Sequence, residues 1–164
     1  RKTIRKGLFV VIVDTAFDRV IEACAGPREG NPGTWITPEM QRAYGRLHRL
    51  GHAHSIETWR QGELAGGLYG VAVGRAFFGE SMFSRASDAS KVALVALALQ
   101  LRRWDWAVID CQVRTAHLSS LGAVDIPRAT FLRLLEQHCP LPGREGAWRL
   151  DADLFADLLA DTPS

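Results

Sequence analysis

The chain has 164 residues, of which 47% are hydrophobic, and a formal net charge of +2. That suits one domain with a sizeable core and argues against a histone-like polyanion binder, leaving room only for local basic patches. No apolar run reaches the roughly 18 residues that a membrane helix needs.

The first six residues, Arg1-Lys2-Thr3-Ile4-Arg5-Lys6, are basic, and no secretory apolar region with a small-residue cleavage site follows them. Gly7 to Val13 is rich in β-formers and predicts a strand. Asp14 and Thr15 are helix N-cap types, and Phe17, Val20, Ile21 and Cys24 recur at helical spacing after them. Gly26-Pro27 stops that helix and opens a breaker-rich loop over residues 26–34. Thr37, Pro38 and Glu39 predict an N-cap, a first-turn proline and an acidic first turn. The helix they start carries Met40, Tyr44 and Leu47 on one face and ends near Gly51.

Three strands follow: His52 to Trp59, the glycine-rich Leu64 to Val73, and Ala76 to Phe83, joined by turns at 60–63 and 74–75. Glycines inside a strand mark a bulge, a bend or a close backbone approach, and Gly66, Gly67 and Gly70 fit either a ligand contact or a tight sheet bend. A helix from Ser87 to Trp104 is apolar almost all round and must be largely buried. Trp106 to Gln112 predicts a further strand whose period of two puts Asp110 and Gln112 on one face. Val113 to Ser120 reads as a polar turn, and Ile126-Pro127 opens a helix with Phe131, Leu134 and Leu135 as its core face. Pro140 ends it. The tail from Leu150 contains a short helix-like stretch with a fraying end.

The stretch with the most chemistry runs from Phe77 to Lys91. Glu80 lies there among Phe77, Phe78, Met82 and Phe83, and a carboxylate in apolar surroundings needs a partner or a functional role. Ser84, Ser87 and Ser90 follow, with Arg85 and Lys91. The common site motifs are absent: no phosphate-binding G-x-x-x-x-G-K-[ST], no G-x-S-x-G and no H-E-x-x-H. Three scattered cysteines without C-x-x-C spacing predict neither a disulfide framework nor a zinc site, and a reducing cytoplasm fits them. His52 and His54 share a strand face but lack a third metal ligand, so packed histidines are the better reading and no metal is expected. Cys111 alternates away from Asp110 and Gln112, as a small buried hydrophobe would.

Helices mixed with a largely antiparallel meander predict an α+β protein. The order of elements resembles the fold of the GCN5-related acyltransferases, a mixed, mostly antiparallel sheet flanked by helices. Those enzymes carry a glycine-rich pyrophosphate loop after the fourth strand, and residues 84–90 of this chain contain no glycine.

Six segments carry a more specific resemblance: G-T-W-I-T-P-E-M (33–40), L-H-R-L-G-H-A-H-S-I-E (47–57), G-G-L-Y-G-V (66–71), G-E-S-M-F-S (79–84), I-D-C-Q-V (109–113) and H-L-S-S-L-G-A (117–123). In this order they resemble the leucyl/phenylalanyl-tRNA–protein transferases from about residue 7 to 138. The resemblance implies a bacterial, cytoplasmic, cofactor-free enzyme. It would move Leu, Phe or Met from aminoacyl-tRNA to the N-terminal Arg or Lys of acceptor proteins, marking them for N-end-rule degradation. It implies that Asp110 and Gln112 form the reaction centre, that Glu80 engages the aminoacyl end of the donor, and that Trp35 stacks near its terminal adenosine. It further implies an amino-acid pocket lined by Leu68, Met82, Leu97, Leu101 and Ile109. Arg85 and Lys91 are candidate contacts to the tRNA 3′ end. A monomer without membrane association is expected.

The family has an additional N-terminal region, so residues 1–6 are expected to be a basic connector from it, 7–140 the catalytic domain and 141–164 a C-terminal tail. Two rival readings are a coenzyme-A-dependent acetyltransferase, which the missing glycine loop disfavours, and a non-catalytic binding module left after loss of the N-terminal region.

Overall fold

A computed structural model describes residues 2–27 and 34–160. Arg1, most of the breaker-rich loop (28–33, including Gly33 of the first motif) and the end of the tail (161–164) lie outside the described residues. The elements run α1 (Lys2–Arg5), β1 (Val10–Val13), α2 (Phe17–Ala25), α3 (Pro38–Arg49), β2 (Ala53–Arg60), β3 (Glu63–Val73), β4 (Ala76–Ser84), α4 (Ala89–Arg103), β5 (Val108–Asp110), α5 (Ala116–Ser120), α6 (Arg128–His138) and α7 (Ala156–Ala160). The five strands form one sheet in sequence order, antiparallel except for the parallel pair β4–β5. This is the expected α+β architecture.

Helices cover both faces of the sheet. On one face α4 lays Leu97 and Leu101 against Leu68 and Phe77. On the other, α2 lays Val20, Ile21 and Cys24 against Leu64 and Tyr69, with Met40, Tyr44 and Leu47 of α3 packed beside them. Double coverage is why β2 buries six residues in a row and alternates only loosely in sequence. Close approach explains two of the strand glycines, and the approaching groups come from the chain itself. A Cβ at Gly66 would sit 2.6 Å from the Cβ of Ala89, where α4 begins, and one at Gly70 would sit 2.5 Å from the Phe77 ring.

Four sequence expectations are corrected. Asp14 and Thr15 do not cap α2, whose N-cap is Ala16 without a side-chain bond. Glu57, fully buried on β2, does the capping instead. Its Oε1 accepts from the amides of Thr15 (3.0 Å) and Ala16 (2.8 Å) and from the Ser55 hydroxyl (2.9 Å). Its Oε2 accepts from the Thr15 hydroxyl and from the Trp59 indole. A buried carboxylate is tolerated when its oxygens are this well filled, and the positive end of a helix favours it further.

The strand expected over 106–112 is β5, only Val108–Asp110, because Gln112 adopts φ +61° and turns the chain out of the sheet. Residues 116–120 are a short helix, not a polar turn, capped by the Thr115 hydroxyl. The intended core face of α6 is only half-buried.

The segment before α7 is pinned. The Trp148 amide donates to Asp14 Oδ2 (2.8 Å), and its ring stacks on His54 at 3.7 Å. Asp14 Oδ2 also takes His54 Nδ1 at 2.7 Å, so that nitrogen carries the proton and His54 is a packed histidine as expected. Arg103 grips Asp151 and Asp153.

Replacing Glu57 with Ala leaves several buried donors unfilled and is expected to cost about 3 kcal/mol or more in urea unfolding. A loss below about 1 kcal/mol would contradict the capping role.

Candidate functional site

Three parallel residue pairs join β4 to β5: Ala76–Val108, Phe77–Ile109 and Phe78–Asp110. Past the third pair the strands part. β4 continues to Ser84, whereas the chain after Asp110 swings away toward α5. Asp110 and Gln112 stand at this fork. Asp110 Oδ1 accepts the Gln112 amide at 2.8 Å, a local turn that the left-handed conformation of Gln112 makes possible. The Gln112 side-chain nitrogen then donates to the Gly79 carbonyl at 3.0 Å. The pair is thus held together, as the sequence suggests, but by a turn and a cross-link to β4 rather than by strand alternation.

Glu80 follows Gly79 directly and owes its position to an irregularity. Tyr69 faces Ser81 and Gly70 faces Gly79, so Glu80 is the extra residue of a β-bulge. By plain alternation Glu80 would share a face with Phe78 and Met82; the bulge breaks that pattern at this point. Its carboxylate lies near enough to the Tyr44 hydroxyl on α3 to act on it. Burial first, and that negatively charged acceptor second, push the Tyr44 phenol up to about 12. Tyr44 also packs edge-on against Tyr69, with ring centroids 5.2 Å apart. Sequence reading placed Tyr44 only in a core face; no local signal connects it with Glu80.

The five residues expected to line an amino-acid pocket do come together on the α4 face. Leu68, Leu97 and Leu101 are 2–3% exposed, while Met82 and Ile109 are partly buried and pack against them. Met82 lies directly opposite Leu68 across β3 and β4. An open cavity of about 990 Å³ adjoins this cluster, lined by Arg19, Glu22, Phe83, Ser84, Ser90 and His117 among others. Of the sequence-predicted site residues it takes in Met82 and Arg85. Arg19, Glu22 and His117 carry no sequence signal of a site role, since each is ordinary for an amphipathic surface.

Trp35 is half-exposed, just before the Thr37 cap of α3, and no described contact joins it to the β4–β5 fork. Arg85 leans over the Phe83 ring at 5.3 Å. Lys91 is paired with Asp88 at 2.9 Å and stands outside the cavity wall. Cys111 is half-buried rather than fully enclosed. Burial and the adjacent Asp110 charge push its thiol up, so it stays protonated at neutral pH and is a poor nucleophile. Among the described residues no three His, Cys, Asp or Glu side chains gather as a metal-holding group. No described helix is long and apolar enough to cross a membrane.

The family model described as leucyl/phenylalanyl-tRNA protein transferase matches residues 1–136. The chain belongs to this family. It is 59% identical over 150 residues to the leucyl/phenylalanyl-tRNA–protein transferase of Nitrosomonas europaea, covering 92% of this chain and 64% of that protein. It is 61% identical over 147 residues to the one of Aromatoleum aromaticum, covering 88% of this chain and 62% of that protein. The chain therefore spans under two thirds of the length of these relatives. Among solved structures it is similar to an aminoglycoside N-acetyltransferase in complex with CoA. The TM-score is 0.51 at 13% identity, over 73% of this chain and 90% of that one, a likeness of fold alone.

Burial of Tyr44, with the Glu80 carboxylate beside it, gives a pH signature. The folded-state pKa lies above the ordinary value near 10, so its stabilisation is whole below pH 10 and is lost as pH rises toward 12. Tyrosinate absorbance is expected to show a step near pH 12 that Tyr44→Phe removes. A wild-type protein whose two tyrosines both ionise near pH 10 would contradict the burial of Tyr44 beside Glu80.

Proposed function

We propose that this chain carries the acyl-transfer centre of a leucyl/phenylalanyl-tRNA–protein transferase. In this reading it moves Leu, Phe or Met from aminoacyl-tRNA onto the N-terminal Arg or Lys of acceptor proteins in the bacterial cytoplasm, marking them for N-end-rule degradation. Residues 7–140 would form the catalytic domain and 141–164 its tail, with 1–6 joining it to a further N-terminal region. It acts as a monomer. The observation that carries the reading is the chain Asp110–Gln112–Gly79, hydrogen-bonded across the β4–β5 fork one residue from Glu80.

The chemistry needs no activation step, because an aminoacyl-tRNA ester is already an activated acyl donor. The acceptor amine attacks the ester carbonyl carbon and a C–N bond forms. The carbonyl oxygen takes up negative charge. The intermediate then collapses, breaking the bond to the ribose oxygen, which leaves with the proton that the attacking nitrogen gave up, passed on by Asp110. The α-amine has a pKa of about 8, so it needs only modest help to lose its own proton, and Asp110 accepts it. Gln112 is held by Gly79 through its amide nitrogen and orients the amine or steadies the oxyanion. Glu80 holds the donor's α-ammonium, and Tyr44 fixes the carboxylate for that purpose. Positioning of this kind can supply much of the rate.

The wall formed by Leu68, Met82, Leu97, Leu101 and Ile109 selects by size. One methylene is worth only about 1–3 kcal/mol, which fits acceptance of Leu, Phe and Met together. Trp35 offers an exposed ring for the terminal adenosine, and base stacking contributes roughly 1–3 kcal/mol. Arg85 and Lys91 contribute charge toward the tRNA 3′ end. The coenzyme-A alternative is disfavoured by more than the missing glycine loop. Asp88, at the N-cap of α4 and paired with Lys91 and Thr3, adds negative charge beside that helix start, which works against a bound anion.

Asp110→Asn is expected to lower turnover by about 100-fold or more with little change in melting temperature, assayed with leucyl-tRNA and a peptide bearing N-terminal Arg. Undiminished turnover would sink the proton-accepting role. Glu80→Gln is expected to raise KM for the donor more than it lowers kcat, and an unchanged donor KM would remove Glu80 from the ammonium site.

A further inference from the structure

The pocket that the proposed function calls for is shut. Leu68, Leu97 and Leu101 are 2–3% exposed, so no donor side chain can touch them unless something moves. Beside them lies the open cavity, and one described residue belongs to both. That residue is Met82. It packs against the buried cluster from directly opposite Leu68, and it also lines the cavity wall. It sits past the Glu80 bulge, in the part of β4 that no residue of β5 faces.

We infer that Met82 is the gate and the size-setting residue of the donor pocket. This rests on the aminoacyl-donor reading and says how that site fills. The Met82 side chain swings from the cluster into the cavity, and the branched or aromatic side chain of the donor amino acid enters the space it leaves, against Leu68, Leu97 and Leu101.

The residue type suits a gate. Methionine is unbranched, has three rotatable bonds and fills irregular gaps without a single preferred shape. A β-branched or γ-branched side chain there would be stiffer. The cavity receives the displaced thioether without disturbing the backbone, because its volume of about 990 Å³ far exceeds one side chain. The gate also accounts for a pocket that takes several apolar donors: Met82 settles at a different depth behind each, so the pocket has no fixed floor to exclude the larger ones. Closure in the empty protein keeps water off the apolar cluster.

The test uses the whole chain and three inert donor mimics, adenosine carrying amide-linked leucine, phenylalanine or 2-naphthylalanine at its 3′ position. Binding is followed by stopped-flow tryptophan fluorescence, since Trp104 and Trp106 lie in or against the same cluster. In the wild type the observed rate is expected to level off with mimic concentration, because opening limits entry. In Met82→Ala the rate is expected to rise linearly, and affinity for the naphthylalanine mimic to improve by about tenfold or more relative to leucine. Met82→Leu, close in volume and so kept folded, is expected to retain leucine affinity and lower the plateau rate; it carries the test should the alanine variant not fold. Unchanged kinetics and an unchanged order of affinities in the folded variants would make Met82 a fixed wall and overturn the gate. Failure of every mimic to bind any folded form would overturn the donor reading, and the gate with it.

Discussion

The β4–β5 pairing lasts for three residues, and the proposed reaction centre stands where it stops. Two parallel strands need a long crossover between them. Here α4 supplies it, and its start is pressed onto β3 where Gly66 leaves room for Ala89. That contact fixes one arm of the fork. The other is fixed by Gln112, which leaves the strand direction in a left-handed turn yet stays tied to Gly79. A longer pairing would have filled the cleft with strand; a shorter one would have left Asp110 unsupported. The same fork leaves β4 beyond Phe78 without a β5 partner, so that the bulge at Glu80 and Met82 both lie on an uncovered strand edge.

Two buried carboxylates hold the sheet that carries the fork. Glu57 binds the start of α2, and Asp14 binds Ser55, His54 and the Trp148 segment. Each taken alone is a costly group to desolvate, and each is compensated by several short donor contacts. Together they tie α2 to one face of the sheet and the C-terminal segment to the other. The Trp148 ring, wedged among His54, Trp104 and Trp106, backs the face on which α4 lines the apolar cluster. The supports of the apolar cluster thus reach the last described elements of the chain.

Much of this was legible in the sequence. Thr37-Pro38 announced α3, Gly26-Pro27 the end of α2, and the glycine turns the hairpins, because caps and turns are local chemistry. The resemblance named the family, and the apolar residues expected to form one wall do lie together. What escaped depends on pairing between distant residues. A bulge has no signature in G-E-S-M, so the departure of Glu80 from strand alternation and its meeting with Tyr44 could not be read off. Nothing near Glu57 announces that it caps a helix some forty residues earlier. Asp110 and Gln112 looked like alternate strand residues, whereas a carboxylate two residues before an amide also makes a turn, and the turn prevailed.

The most direct measurement is transfer of radiolabelled leucine from leucyl-tRNA to a peptide with N-terminal Arg, without ATP or metal. The same peptide with its amine acetylated serves as control, and the chain is run beside a version extended at its N-terminus. The account predicts label on the free-amine peptide alone, with the extended protein at least as active. Label on the acetylated peptide, or no transfer by either folded protein, would contradict it.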